Sequence, residues 1–211
     1  MTKITSSGGC QLYQCSFKYI DGSAVEIEQG NKNVPNKIED CYFNYIDKKC
    51  TDLISVMVSV RMTGTGSIFK NNTIHKTGAS ATVNVGDEAE ISYNDISNTG
   101  YLQSDGAMIH CMTAQQKNVK VHHNWVHDTI KYGIRFDGNG NSEGGFIHHN
   151  IGWNCEGGIM VKGGRQDPDK SWGGHYIFNN TIFNSIGKND ILVLNEQSGQ
   201  PINYNTRVVR N

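Results

Sequence analysis

The sequence predicts an all-β solenoid in which short parallel strands stack coil upon coil. A motif of the form apolar-x-x-Asn-x-apolar recurs along the chain, its copies separated by 22 to 31 residues. About ten residues after most copies comes a second short run with period-two alternation, often opened by glycine. The apolar spacing of an amphipathic helix is not sustained over the ten or more residues that a helix needs.

The motif has seven copies, and its fourth position is Asn in five of them and Cys in two. Stacked strands lie about 4.8 Å apart, so equivalent positions of successive coils form columns. A buried amide in such a column donates to and accepts from its neighbours, and Asn tolerates the left-handed backbone of a sharp corner. We therefore predict about seven coils with an Asn ladder. The ladder column is Cys15, Cys41, Asn72, Asn94, Asn124, Asn150 and Asn180.

Two apolar columns flank the ladder and are predicted to fill the interior. One lies three residues before it and comprises Leu12, Ile38, Phe69, Ile91, Val121, Ile147 and Ile177. The other lies two residues after it and comprises Phe17, Phe43, Ile74, Ile96, Val126 and Ile182.

Length and charge restrict the classes of function. The 211 residues fit a single domain, 1–211, and the net charge of -1 gives no field for nucleic acid or for anionic membranes. No apolar run approaches the roughly 20 residues of a membrane span, and the opening MTKITSSGGC lacks the apolar core of a signal peptide. Neither end reads as an amphipathic cap, so we expect a fragment of a longer solenoid.

The six cysteines contain no CxxC pair, which argues against a zinc site. Disulfides between Cys10 and Cys15 or between Cys41 and Cys50 are conceivable. Free cysteine acting as a small buried apolar residue is favoured.

These turns resemble the right-handed parallel β-helix repeats of the pectate-lyase-like superfamily, over about residues 12–195. Stretches such as HHNWVHDTIKYGIRFDG and HHNIGWNCEGGIMVKGG resemble secreted bacterial β-helix proteins of carbohydrate metabolism. The resemblance implies a secreted or cell-surface location and a polysaccharide substrate lying on the concave strand face. The superfamily includes lyases, hydrolases, tailspikes and adhesins, so the fold does not choose among them.

Alternation in the glycine-opened strands points one set of side chains outward. Ile134 and Phe136 face inward, so Arg135 and Asp137 face outward, as does Lys162 on the next coil. Aligning the coils predicts a polar stripe, flanked by Glu26, Met108, Arg135, Met160 and Leu192. The stripe reads Glu28, Asn84, His110, Asp137, Lys162 and Leu194.

This stripe supplies groups for β-elimination next to a uronate carboxylate. Lys162 is the candidate base, Arg135 the carboxylate neutraliser, and His110 or Tyr132 the acid. Asp137 would favour the ammonium form of Lys162, and the alternative reading of these two residues is a cross-strand ion pair.

A glycoside hydrolase is the second hypothesis, with Asp137 as one of its two carboxylates. One β-helix xylosidase family resembles this strand but carries its second carboxylate, a Glu, at the position of Lys162. Asp105 and Glu156 are the nearby residues that are able to supply a second carboxylate here. The third hypothesis is a non-catalytic adhesin or tailspike-type β-helix, for which the ladder alone suffices. A cleft between the stripe and the loop Gly163–Gly174 would favour an enzyme.

Several residues are candidates for substrate binding: Tyr132, His127, Asp105, Arg165 and Trp172. The loop from Gly163 carries the last two, and its Trp is suited to stacking on a sugar ring. Repeated histidines, His122 with His123 and His148 with His149, are predicted to stack at the surface rather than bind metal, since no carboxylate joins them.

No cofactor is predicted. A calcium site needs several acidic oxygens that converge. Glu26, Glu28, Asp87 and Glu88 are too dispersed along the coils to form one. The oligomeric state is not indicated by any feature of the sequence.

Overall fold

The computed structural model describes residues 2–5, 8–49, 57–103, 105–112, 117–137, 144–162, 174–187, 189–194, 196–197, 200–201 and 206–211. These residues form strands and turns. The strands in chain order are β1 (Thr2–Ile4), β2 (Gln11–Tyr13), β3 (Ser16–Ile20), β4 (Val25–Ile27), β5 (Lys37–Glu39), β6 (Tyr42–Ile46), β7 (Val58–Met62), β8 (Ile68–Lys70), β9 (Thr73–Thr77), β10 (Ala81–Val85), β11 (Glu90–Ser92), β12 (Asp95–Thr99), β13 (Ala107–Cys111), β14 (Lys120–His122), β15 (Trp125–Asp137), β16 (Phe146–His148), β17 (Ile151–Lys162), β18 (Tyr176–Phe178), β19 (Thr181–Phe183), β20 (Ile191–Leu194), β21 (Glu196–Gln197), β22 (Gln200–Pro201) and β23 (Arg207–Val209).

These strands wind into a parallel solenoid with three faces. The first face is the eight-stranded sheet β2-β5-β8-β11-β14-β16-β18-β23. The second face is formed by β3, β6, β9, β12, the first halves of β15 and β17, and β19. The third face is formed by β1, β4, β7, β10, β13, the second halves of β15 and β17, and β20. The solenoid has about six turns, slightly fewer than the seven predicted.

The predicted columns have the expected register. On the first face Leu12 pairs with Ile38, Ile38 with Phe69, and Phe69 with Ile91. The second apolar column is continuous from Phe17 to Val126, and Gly152 separates Val126 from Ile182. The stacked rings of Phe17 and Phe43 lie 4.8 Å apart. Both columns contribute to one continuous core, which confirms the interior predicted from the repeat.

The Asn ladder is present and fully hydrogen-bonded. The Asn124 side chain donates to Asn150 Oδ1 at 3.0 Å and to the Ile91 carbonyl at 2.9 Å, and its Oδ1 accepts from the Asn94 backbone at 3.1 Å. The same pattern continues to Asn180, whose side chain donates to Asn211 Oδ1 at 2.8 Å. Asn211 is therefore a further member of the ladder that the repeat count missed.

The left-handed backbone of the corner does not lie at the ladder Asn, as predicted, but one residue before it. Each of these preceding residues has φ between 50° and 57°. The ladder side chain instead donates to a backbone carbonyl of the preceding coil, as Asn72 does to Ile38 and Asn124 does to Ile91. The left-handed residues are Gln14, Asp40, Asn71, Tyr93, His123, His149, Asn179 and Arg210.

Among the described residues, Cys10, Cys15, Cys41, Cys111 and Cys155 are in no disulfide. Cys41, Cys111 and Cys155 are buried, as the favoured prediction expects, whereas Cys10 and Cys15 are partly exposed. Cys50 lies outside the described residues, so its pairing with Cys41 stays a prediction. Cys41 occupies a ladder position, where its backbone N–H donates to Asn72 Oδ1 at 2.9 Å. The Cys41 sulfur accepts a hydrogen bond from the Cys15 backbone N–H at 3.4 Å, and sulfur is a weaker acceptor than an amide oxygen.

Cys41→Asn should extend the ladder by one coil and raise the free energy of unfolding by about 1 kcal/mol, because an amide replaces a weak sulfur acceptor. Urea denaturation measures the change. Cys155→Asn is the matched control, since Cys155 is buried outside the ladder and its replacement should destabilise the fold. Equal destabilisation by both variants would contradict the prediction.

Candidate functional site

The outward side chains of β13, β15 and β17 meet on the third face. Ile134, Phe136, Ile159 and Val161 are fully buried, as the alternation predicts. The stripe has the predicted register from Asn84 to His110 and from Asp137 through Lys162 to Leu194. The step between these two parts was predicted incorrectly, because His110 pairs with Arg135 and not with Asp137. A slip of two residues keeps every side chain on the same face, so alternation gives no signal against it.

With the observed register, the outward columns of the third face gain Arg61, which the sequence analysis did not include, and lose Met108, which it did. Arg61 pairs with Glu26 on one side and with Asn84 on the other, in the column that continues to His110 and Arg135. Met108, predicted to face outward, is fully buried in the core.

Four charged side chains form a connected cluster, which we call the third-face cluster: Asp105, Arg135, Asp137 and Lys162. Arg135 Nη1 lies 2.7 Å from Asp105 Oδ1, and its Nη2 lies 2.6 Å from Asp137 Oδ2. Lys162 Nζ lies 3.3 Å from the other oxygen of Asp137. The Asp105 side chain is 76% exposed, whereas Arg135, Asp137 and Lys162 are only 16% to 18% exposed. The predicted ion pair of Asp137 with Lys162 is therefore present.

Both carboxyl groups of the cluster are ionised at neutral pH. Burial alone would raise the pKa of Asp137, but His110, Arg135 and Lys162 together lower it to about 2. The hydrogen bond from Arg135 lowers the pKa of Asp105.

His110 lies under the third-face cluster. Its Nε2 is 3.6 Å from Asp137 Oδ2, and neither ring nitrogen has a hydrogen-bond partner among the described residues. Burial lowers the pKa of His110, and the nearby charge of Arg135 acts in the same direction. The imidazole is therefore neutral at neutral pH and packs against Asp137 of the cluster.

The structure separates the remaining candidates. Tyr132 is 95% buried, and its ring covers Gly157, where a Cβ would lie 2.4 Å from the ring. His127 belongs to the second face, where Asp95 and Asp128 contact its two nitrogens at 3.0 and 2.8 Å. His127 therefore lies on a different face from Arg135, Asp137 and Lys162.

Arg165 and Trp172 lie outside the described residues, as does most of the loop from Gly163. Their part in substrate binding, and the cleft that this loop was expected to form, stay predictions.

Lys131 was missed by the sequence reading. It is fully buried, and its Nζ donates to the carbonyls of Ala79 and Ser80 at 2.6 and 2.7 Å. Burial lowers its pKa to about 7. The hydroxyl of Ser80 in turn donates to the Asp105 carbonyl at 3.0 Å, so Lys131 supports the turn that carries Asp105. At these two positions the usual order of apolar and polar side chains is reversed, because the apolar Ile130 is half exposed and the charged Lys131 is buried.

The repeated histidines stack as predicted. His122 lies on His148 with ring centroids 4.9 Å apart, and His123 lies on His149 at 5.1 Å. A carboxylate does join them, contrary to the prediction, since Glu90 Oε1 is 3.5 Å from His122 Nε2. Burial lowers the pKa of His148 to about 4, and the other histidines act in the same direction.

Within the described ranges, no group of three or more His, Cys, Asp or Glu side chains is arranged to hold a metal ion. Two of the acidic residues considered for calcium are paired with lysines, Glu28 with Lys3 at 3.4 Å and Glu88 with Lys32 at 3.2 Å. Across the same residues, no helix has the length and apolar character of a membrane span.

The stacked parallel coils, the continuous core and the Asn ladder define a parallel β-helix protein. The family model described as the right-handed β-helix region matches residues 3–171, and the chain belongs to this family. No significant match was found among curated proteins or among solved structures.

Proposed function

We propose that the chain cleaves a uronate-containing polysaccharide by β-elimination at the third-face cluster. The observation that carries the proposal is that two cations, Arg135 and Lys162, lie on adjacent coils around one partly buried carboxylate. The outer partner of Arg135, Asp105, is mostly exposed, so a substrate carboxylate is able to exchange with it on Arg135.

In this mechanism Arg135 neutralises the uronate carboxylate and so acidifies the neighbouring C–H bond. Lys162 first gives its ammonium proton to water, and as the free amine it then takes the C–H proton. The electrons of the C–H bond form the new C=C bond, and the glycosidic C–O bond breaks. The leaving oxygen takes a proton from water. Asp137 holds Arg135 and Lys162 in place, and His110 packs behind Asp137.

Hydrolysis is the second candidate, because Asp105 and Asp137 contact the same guanidinium group and form a pair of carboxylates. A glycosidase needs one of its carboxyl groups protonated to act as the acid. The lowered pKa of both groups leaves neither protonated at neutral pH, which favours elimination.

The test is incubation with a panel of acidic and neutral polysaccharides, following the absorbance of unsaturated uronate products and the appearance of reducing ends. We expect both signals from an acidic polysaccharide. Reducing ends without absorbance would replace elimination by hydrolysis, and no product from any polysaccharide would favour a non-catalytic glycan-binding or structural β-helix.

Arg135→Ala and Lys162→Ala should each lower turnover by about 10²-fold or more, since the first removes charge stabilisation of the transition state and the second removes the base. Their thermal midpoints should stay close to that of the unaltered protein. Lys120→Ala, which removes an exposed lysine on the first face, is the control and should retain activity. Full turnover in either cluster variant would refute these assignments.

A further inference from the structure

Two histidine pairs on the surface are arranged in the same way on consecutive coils. His122 Nδ1 lies 2.9 Å from His123 Nδ1, and His148 Nδ1 lies 2.9 Å from His149 Nδ1. The rings within the two pairs meet at 88° and 89°. We call these pairs the histidine dyads. They lie at the ladder corner, and the proposed glycan cleavage does not use them.

The backbone explains why neighbouring residues converge here. In an extended strand, consecutive side chains point to opposite faces. His123 and His149 have left-handed φ values of 56° and 55°, so each corner turns its second imidazole outward beside the first. Stacking fixes the rings, because Tyr93 lies on His123 at 4.9 Å and Phe178 lies on His148 at 4.8 Å.

Two imidazole nitrogens 2.9 Å apart either share a proton or bind the same cation. With metal–nitrogen bonds of about 2.0 to 2.1 Å, this separation corresponds to an angle of about 90° at the metal. A tetrahedral ion would need the nitrogens about 3.3 Å apart. An angle of 90° suits the square-planar or tetragonal coordination of Cu²⁺ and Ni²⁺.

Groups around the dyads determine which ring nitrogen carries the proton. At the second dyad, Asn179 Nδ2 lies 3.3 Å from His149 Nε2, so His149 carries its proton on Nδ1 and a metal ion bound there displaces that proton. At the first dyad the surroundings favour ligation through Nδ1. Glu90 Oε1 lies 3.5 Å from His122 Nε2, which favours the proton on Nε2 and leaves the lone pair on Nδ1. His123 and His149 line an open groove of about 410 Å³, which leaves room for further ligands from solvent.

We propose that each histidine dyad chelates one Cu²⁺-type divalent cation through its two Nδ1 atoms, with water completing the coordination. The dyads lie one coil apart, with stacked rings separated by 4.9 and 5.1 Å. One ion spans at most about 4 Å between opposite nitrogens, so the two dyads form two sites.

The experiment is calorimetric titration of the full chain, free of any affinity tag, with Cu²⁺, together with electron paramagnetic resonance of the loaded protein. We expect two ions per chain and tetragonal spectra with nitrogen ligands. His123→Ala and His149→Ala should each retain one ion, and the double variant should retain none. Glu90→Gln should weaken binding at the first dyad about tenfold.

His75→Ala is the matched control, since His75 lies on the second face and contacts Ser97, and it should still bind two ions. Circular dichroism of each variant without metal checks that the coils remain folded. Unchanged binding in the double variant, or a single ion that requires both dyads, would overturn the proposal. A negative result for glycan cleavage would not affect the copper proposal, and the reverse also holds, because the two sites lie on different faces of the solenoid.

Discussion

Replacing Asn150 with alanine should lower the free energy of unfolding by about 3 kcal/mol or more. The Asn150 side chain donates to the carbonyl of Val121 at 3.0 Å and to Asn180 Oδ1 at 2.9 Å. Its own oxygen accepts from the backbone N–H and from the side chain of Asn124, both at 3.0 Å. All these groups are buried, so truncation leaves several polar atoms without partners, and each costs about 1 to 3 kcal/mol.

Urea denaturation of the variant and of the unaltered protein measures this difference. Asn33→Ala is the control, because Asn33 is an exposed turn residue, and it should change stability by less than about 0.5 kcal/mol. If Asn150→Ala is no more costly than Asn33→Ala, the ladder does not stabilise the fold as described.

Lys131→Met should remove a dependence of stability on pH that the unaltered protein has in the alkaline range. Burial holds the pKa of Lys131 at about 7 in the folded chain, against about 10.4 when unfolded. Between these values the unfolded chain binds more protons, so the free energy of unfolding rises with pH and is lost as the pH falls towards 7. From pH 7 to 9 the unaltered protein should gain about 2 kcal/mol relative to the variant.

The measurement is a series of urea denaturations across this pH range, comparing both proteins at each pH so that other titrating groups cancel. Lys120→Met serves as the control, because this exposed lysine should give a difference from the unaltered protein that does not vary with pH. A constant difference for Lys131→Met as well would mean that Lys131 is charged in the folded chain throughout this range.

The fold was predictable because its signal is repeated. The motif at Phe69, Asn72 and Ile74 specifies two core columns and the ladder at once, and the same motif recurs in the other coils. The left-handed corner residue was assigned to the wrong position because its type varies, as Gln14, Tyr93 and others show. The hydrogen bonds of the ladder hold that conformation whatever the side chain before it.

The third-face cluster was predictable only in part. Alternation placed Arg135, Asp137 and Lys162 outward, but it could not fix how His110 aligns with them, because loops of different length separate the coils. Lys131 was missed because its partners, the carbonyls of Ala79 and Ser80, are backbone atoms on an earlier coil. Any residue type can supply a backbone carbonyl, so the sequence does not show which residues accept these hydrogen bonds.

The ladder also has a direction. From Asn72 onwards each amide donates to the oxygen of the next coil, and Asn94 and Asn124 repeat this orientation. Hydrogen bonds aligned in a row polarise one another, so the ladder forms a dipole along the solenoid axis whose positive end points to the later coils. An amide removed from the middle divides one long dipole into two shorter ones, and coils that do not touch the substitution are weakened with it.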